Sequence, residues 1–276
     1  VLKQRIITAV LLAPLLLAIV LYGNQDLFAV LIVVIQSAAI YEWLKINRLR
    51  SGLAVFNAVI VSIFTLFVSD KLYVFDQMHY FDTYQLSRPV LMVVYLIVWF
   101  FALVWLRRHQ WGYQNSSFQL VAKSTVGVMA IMLFAICMYQ LYFLPSGRWW
   151  TLALFLLIWV ADIGAYISGK TMGKHKLAIN ISPKKTWEGV IGAQALVAVY
   201  AVVISYFMGV SWQKALLIMI PVALFSVVGD LVASLGKRQA SVKDSSNLLP
   251  GHGGFIDRFD SLIAASPLFF FLLVGL

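Results

Sequence analysis

Ala215-Leu-Leu-Ile-Met-Ile-Pro-Val-Ala-Leu-Phe-Ser-Val-Val-Gly-Asp-Leu-Val-Ala-Ser-Leu235 is the stretch on which the fold turns. Asp230 is its one ionisable residue. As a helix it would measure about 31 Å, the thickness of a bilayer's hydrocarbon core. Lipid offers no hydrogen-bond partners, so a run this long and apolar has to satisfy its backbone internally, as a helix. Working outward, eight further apolar runs appear at about residues 6–22, 27–43, 53–68, 90–106, 126–144, 149–167, 190–208 and 262–276. The expected fold class is therefore an all-α polytopic membrane protein with about nine transmembrane helices.

Composition agrees. The 276 residues are 62% hydrophobic and 12% charged, with a mean hydropathy of +0.90, whereas soluble domains carry about 25% charged residues. An ordinary soluble enzyme, a disordered chain and a disulfide-rich secreted domain are all excluded. Cys137 is the only cysteine, so no intrachain disulfide can form. The first run follows Lys3 and Arg5 as a secretory signal would, but no small-residue cleavage site follows before Asn24, so it is read as a span.

The net charge of +10 raises the question of nucleic acid, but no basic soluble module accompanies it and none is expected as a partner. Topology explains it better. With nine spans and a cytoplasmic N-terminus, only Lys71, Arg88, Arg148 and Lys214 fall outside, which leaves 17 of the 21 Lys and Arg inside. That positive-inside bias predicts an inner N-terminus and an outer C-terminus. Asp26, Asp70, Asp76 and Asp82 are read as solvated residues of external loops. Residues 1–148 are expected to be a scaffold of about five spans without chemistry of their own, Glu42 being simply a residue near the inner end of the second. Residues 149–276 are expected to be a catalytic region of four spans with two cytoplasmic loops.

Those two loops gather the polar residues. The first carries Asp162 and Tyr166, four apart on one helical face, then five lysines between positions 170 and 185, and then Ser182-Pro-Lys184-Lys185-Thr186-Trp187-Glu188-Gly189. Lysines beneath a membrane commonly contact anionic lipid, but lysines where a loop opens into a helix also build anion sites. Gly164 with Ser168, and Gly189 with Ala193, are spaced for close helix packing. In the second segment Asp230, Ser234 and Lys237 share a helical face. A carboxylate within a span is costly unless paired or metal-bound, which marks Asp162 and Asp230; a plain Asp230–Lys237 pair is the alternative. Pro250-Gly251-His252-Gly253-Gly254 is a turn whose glycines allow a phosphate to approach the backbone, and Asp257 and Asp260 follow at the start of the last helix. Such oxygen ligands beside lysine and arginine suit Mg²⁺ with phosphates. This is an inventory for moving a phosphate group onto a lipid-borne acceptor.

The stretch from Ser234-Leu-Gly-Lys237-Arg238 through Lys243-Asp244-Ser-Ser246 to Pro250-Gly-His252-Gly253-Gly254-Phe-Ile-Asp257-Arg258-Phe-Asp260 resembles the signature of the phosphatidate cytidylyltransferases, the CDP-diacylglycerol synthases. The first loop, from Gly173-Lys174-His175-Lys176-Leu177 to Gly189, is similar to bacterial members. The resemblance implies CTP and phosphatidate as substrates, CDP-diacylglycerol and pyrophosphate as products, and Mg²⁺ as cofactor, with a second metal or a monovalent cation left open. It implies a multi-pass protein of a bacterial inner membrane, surrounded by membrane lipids, with its active site facing the cytoplasm; a homodimer is left open. By position it makes Asp230, Asp257 and Asp260 metal ligands and Lys237, Arg238, Lys243, Asp244 and His252 catalytic. Ser234, Gly253, Gly254, Arg258, Lys184, Lys185, Thr186 and Asp162 become substrate contacts. The competing readings are an enzyme using another lipid phosphate, a CTP-dependent polyprenol kinase, or a transporter coupling through Asp162 and Asp230.

Overall fold

The computed structural model describes the backbone of residues 2–78 and 84–276 and the side chains of residues 10, 12–70 and 88–276. Asp82 lies outside the described residues, as do the side chains of Lys3, Arg5, Lys71 and Asp76. Among the described residues nine helices follow in order: α1 (Leu2–Tyr22), α2 (Gln25–Ile46), α3 (Ser51–Met78), α4 (Tyr84–Arg107), α5 (Ser117–Phe143), α6 (Gly147–Met172), α7 (Trp187–Met208), α8 (Trp212–Gln239) and α9 (Ile256–Gly275). Among the described residues eight are long and apolar enough to cross a membrane; in α1 the described apolar part, Leu12–Tyr22, is shorter. The chain is a nearly all-helical, multi-pass membrane protein.

Each expected run became a helix, and most helices extend past it into polar sequence. Side-chain caps start several: Asn24 accepts from the Leu27 amide, Ser116 and Gln119 form a reciprocal box, Thr186 caps α7 and Ser211 caps α8. These bonds satisfy amides that a helix's first turn leaves open. Because α3 continues to Met78, Asp70 and Asp76 lie on its last turns rather than in a loop. Lys123 likewise sits inside α5. It is buried and donates to Gly112 O, Asn115 Oδ1 and Gln239 Oε1, which ties the α4–α5 connection to the end of α8.

One element departs from a purely helical chain. Between α6 and α7 the residues form an antiparallel hairpin of β1 (Lys176–Ala178) and β2 (Ser182–Thr186), pairing Lys176 with Thr186 and Ala178 with Ser182. Such short, lysine-rich strands carry no period-two pattern, so the sequence reads as loop.

Helices α2, α5 and α9 supply the centre, with Phe28, Phe134 and Phe269 fully enclosed. Helices α3, α4 and α7 turn Phe56, Phe100 and Val203 outward, as lipid-facing surfaces do. Helices α6 and α7 pack backbone to backbone. A Cβ on Gly164 would press on Ala193 Cα at 2.9 Å, one on Gly192 would strike Ser168, and one on Gly189 would meet Ala165 O at 3.1 Å. The small residues are therefore packing residues, and they lock the helix bearing Asp162 to the helix that the hairpin leads into.

Candidate active site

Residues from five elements converge on a pocket of about 190 Å³ at the lysine-rich end of the bundle. Asp162 and Tyr166 come from α6, Lys184, Lys185 and Thr186 from β2, Asp230 from α8 and Ser261 from α9. Gly189, in the first turn of α7, also lines it, so the positive dipole end of that helix faces the same space. The hairpin is held at its base. Glu188 accepts the His175 backbone N–H at 3.1 Å and meets its Nδ1 at 2.6 Å, and Trp187 N–H donates to His175 O. His175 thus anchors the lysine-bearing strand rather than sitting among the pocket residues.

Asp230 accepts the Lys185 ammonium at 2.5 Å on one oxygen and the Ser234 hydroxyl at 3.2 Å on the other. Its partner is Lys185, not Lys237: the i,i+7 spacing puts Lys237 on the correct face, but the hairpin reaches Asp230 first. Asp162 and Asp260 both lie within Coulombic range of Asp230 and of Lys185. Three carboxylates therefore gather around Lys185, with Lys237 also near Asp260.

Lys237 instead pairs with Asp257 at 2.5 Å, and this pair is enclosed, with side chains 10% and 6% exposed against 24% and 32% for Lys185 and Asp230. The second Asp257 oxygen accepts the amides of Ser245 and Gly254 and the Ser245 hydroxyl. Lys237 also lies within Coulombic range of Asp260, which links the enclosed pair to the open pocket.

Beneath this loop lies a residue that the sequence reading passed over. Glu42 of α2 is fully buried and accepts four hydrogen bonds. One oxygen takes Ser246 Oγ at 2.6 Å and Phe255 N at 2.9 Å; the other takes Ser245 Oγ at 2.8 Å and Ile256 N at 2.9 Å. It ties both ends of the loop together and neutralises the open amides where α9 begins. The expected scaffold of the first five spans thus includes a direct tie from α2 to the loop and the start of α9. The rule that singled out Asp162 and Asp230, an acid inside an apolar run, also applies to Glu42. The glycines have a matching reason: a Cβ on Gly254 would strike Glu42 and Ser245, and Gly253 has φ +79° with Asp257 Oδ2 against its Cα.

The remaining signature residues lie further from the pocket. Lys243 and Asp244 are exposed. Arg238 donates to Ile181 O and Val242 O, bracing the hairpin tip against the end of α8. His252 and Arg258 face a separate groove, with Arg258 Nε donating to His252 O at 3.0 Å.

Among the described residues no three His, Cys, Asp or Glu side chains form a preformed metal cage. The donor set nevertheless fits Mg²⁺, which usually takes one or two carboxylates together with substrate phosphates and water. The acids around Asp230 are hard oxygen donors. Asp257 joins them as a ligand only by exchanging Lys237 for the ion.

Fold and site together define a multi-pass membrane protein with lysines and carboxylates side by side at one end of its helix bundle. The chain belongs to the cytidylyltransferase family, whose sequence profile matches residues 3–276. A phosphatidate cytidylyltransferase of Pseudomonas aeruginosa is 36% identical over 277 residues, covering 99% of this chain and 97% of the relative. Enzymes of the same name from Bacillus subtilis (33% over 278 residues; 98% and 97% covered) and Haemophilus influenzae (31% over 287 residues; 97% of each) are similar along their length.

Proposed function

We propose that the protein is a CTP-dependent nucleotidyltransferase that moves CMP from CTP onto phosphatidate, giving CDP-diacylglycerol and pyrophosphate, with Mg²⁺ required, in phospholipid synthesis. The observation that carries this reading is the pocket where Lys184, Lys185 and Thr186 of the hairpin meet Asp162 and Asp230 of the bundle, in a chain of the cytidylyltransferase family.

Phosphatidate is a phosphate monoester and is already an ionised nucleophile near neutral pH. One of its oxygens attacks the α-phosphorus of CTP, the bond to the bridging oxygen breaks, and pyrophosphate leaves with that electron pair. No strong base is needed; the obstacle is repulsion between two anions. Lys184 and Lys185, with the positive dipole end of α7, hold the triphosphate. When Lys185 turns to phosphate it releases Asp230, whose carboxylate then favours a cation. Lys237, fixed by Asp257, adds positive charge, Ser234 orients Asp230, and Lys243 and Arg258 draw anions toward the site. Mg²⁺, which Asp230 and Asp260 would hold and Asp257 would join only on releasing Lys237, would neutralise charge developing on the phosphates. The positive-inside bias puts this face in the cytoplasm of the inner membrane, where CTP is available.

The test is purified protein in lipid nanodiscs with Mg²⁺ and CTP labelled at the α- or the γ-phosphate. Transfer of α-label to phosphatidate, with one pyrophosphate released per lipid, is expected, and a chelator should stop it. Transfer of γ-label would make it a kinase. Transfer only to another lipid phosphate would overturn the acceptor.

A further inference from the structure

A second cavity shares α6 and α9 with the transfer pocket. It is a groove of about 310 Å³ between α1, α2, α6 and α9, within the size range of ligand sites. Its walls are Leu16, Ile35, Phe155, Trp159, Phe259 and Leu262, and its polar members are His252 and Arg258. Leu12, Leu15 and Trp159, on its rim, are large apolar side chains exposed on the bundle surface, so the groove opens sideways to lipid.

Two details distinguish it from a packing defect. His252 Nδ1 is buried and, among the described residues, without a hydrogen-bond partner, a donor or acceptor that a ligand can satisfy. Arg258, exposed at the groove's mouth, commits its Nε to His252 O, which holds its guanidinium beside the imidazole. An apolar trough ending in an unmet imidazole nitrogen and a guanidinium matches one chemistry: an acyl chain carrying a phosphate monoester. The groove also lies beside the transfer pocket. Trp159 of the groove and Asp162 of the pocket are three residues apart on α6, and Arg258 and Ser261 are three apart on α9. That is about 4.5 Å along each helix axis.

We propose that this groove seats the lipid acceptor, its acyl chain against Phe155, Phe259 and Leu262 and its phosphate on His252 and Arg258, poised to cross the α6–α9 seam to the nucleotide. The proposal rests on the reading above that the acceptor is a lipid phosphate. It assigns His252 and Arg258 to the lipid rather than to CTP.

The wild-type protein in nanodiscs, without CTP, is irradiated with phosphatidate bearing a diazirine in one acyl chain, and the adducts are mapped by mass spectrometry. Adducts are expected on peptides holding residues 12–16 and 255–262, displaced by excess phosphatidate and several-fold weaker with diazirine-bearing diacylglycerol, which lacks the phosphate. A second arm fills the groove with Leu16→Trp. The KM for long-chain phosphatidate should rise at least five-fold, with the KM for CTP and the rate on a short-chain, dispersed acceptor within two-fold of wild type. Adducts confined to α7 or α3, or a filled groove with unchanged lipid KM, would overturn the proposal while leaving cytidylyl transfer intact. Loss of the transfer reaction with retained, phosphate-dependent adducts would overturn the reaction and leave the groove standing.

Discussion

Replacing Glu42 with glutamine tests whether the first half of the chain governs the site. The carboxylate accepts four hydrogen bonds, two from backbone amides at the start of α9 and two from serine hydroxyls. Bonds to a charged acceptor contribute about 1.5–3 kcal/mol each. Glutamine keeps one accepting oxygen and replaces the other with a group that only donates. The serine hydroxyls can rotate to accept from it, but a backbone N–H cannot. One of Phe255 N and Ile256 N is therefore left facing a donor, and the surviving bonds lose the charge. We expect a loss of about 2–4 kcal/mol in loop ordering, which corresponds to about 30- to 1000-fold in kcat/KM if transfer needs the ordered loop. The assay pairs cytidylyl transfer in nanodiscs with hydrogen exchange on residues 245–258, after gel filtration has shown an intact protein. Transfer within two-fold of wild type, or a loss with no faster exchange in that segment, would refute the argument.

Asp230→Asn should lower transfer by at least a hundred-fold while membrane insertion is unchanged; a near-normal rate would remove Asp230 from the chemistry. Gly254→Ala should resemble the Glu42 variant in both activity and exchange, because its Cβ displaces that carboxylate, and the double variant should be little worse than either alone. Releasing the hairpin with Glu188→Gln should raise the KM for CTP several-fold and leave the lipid KM nearly unchanged; equal effects on both would show that the hairpin does not serve the nucleotide. On a Cys137→Ala background, Lys243→Cys should react with a membrane-impermeant maleimide in inverted vesicles but not in intact cells, and the reverse pattern would invert the topology.

The nine helices were legible because lipid leaves the backbone a single solution, so apolar length alone announces them. Their polar ends were not, because caps such as Thr186 and Ser211 act through local bonds that hydropathy does not register. Asp162, Lys184, Lys185, Thr186 and Asp230 were legible as polar residues out of place, and the structure brings them together. Their pairing was hidden. Helical spacing joined Asp230 to Lys237, but a hairpin with no strand pattern carries Lys185 to Asp230 and leaves Lys237 to Asp257. Glu42 was hidden for a different reason: its partners lie more than 200 positions downstream, and nothing local shows that an acid in α2 completes α9.

The order in which these charges leave the ribosome differs from one to the next. When Asp230 emerges, Lys185 has already been synthesised, and Asp257 likewise follows Lys237, so each acid enters the bilayer with its counterion waiting. Glu42 does not. Its donors are translated some two hundred residues later, so throughout most of synthesis the nascent chain carries an acid with nothing to receive it. The seat of that acid is therefore completed only when the last helix arrives, and a polypeptide ending before Ser245 has none of the four donors that Glu42 uses.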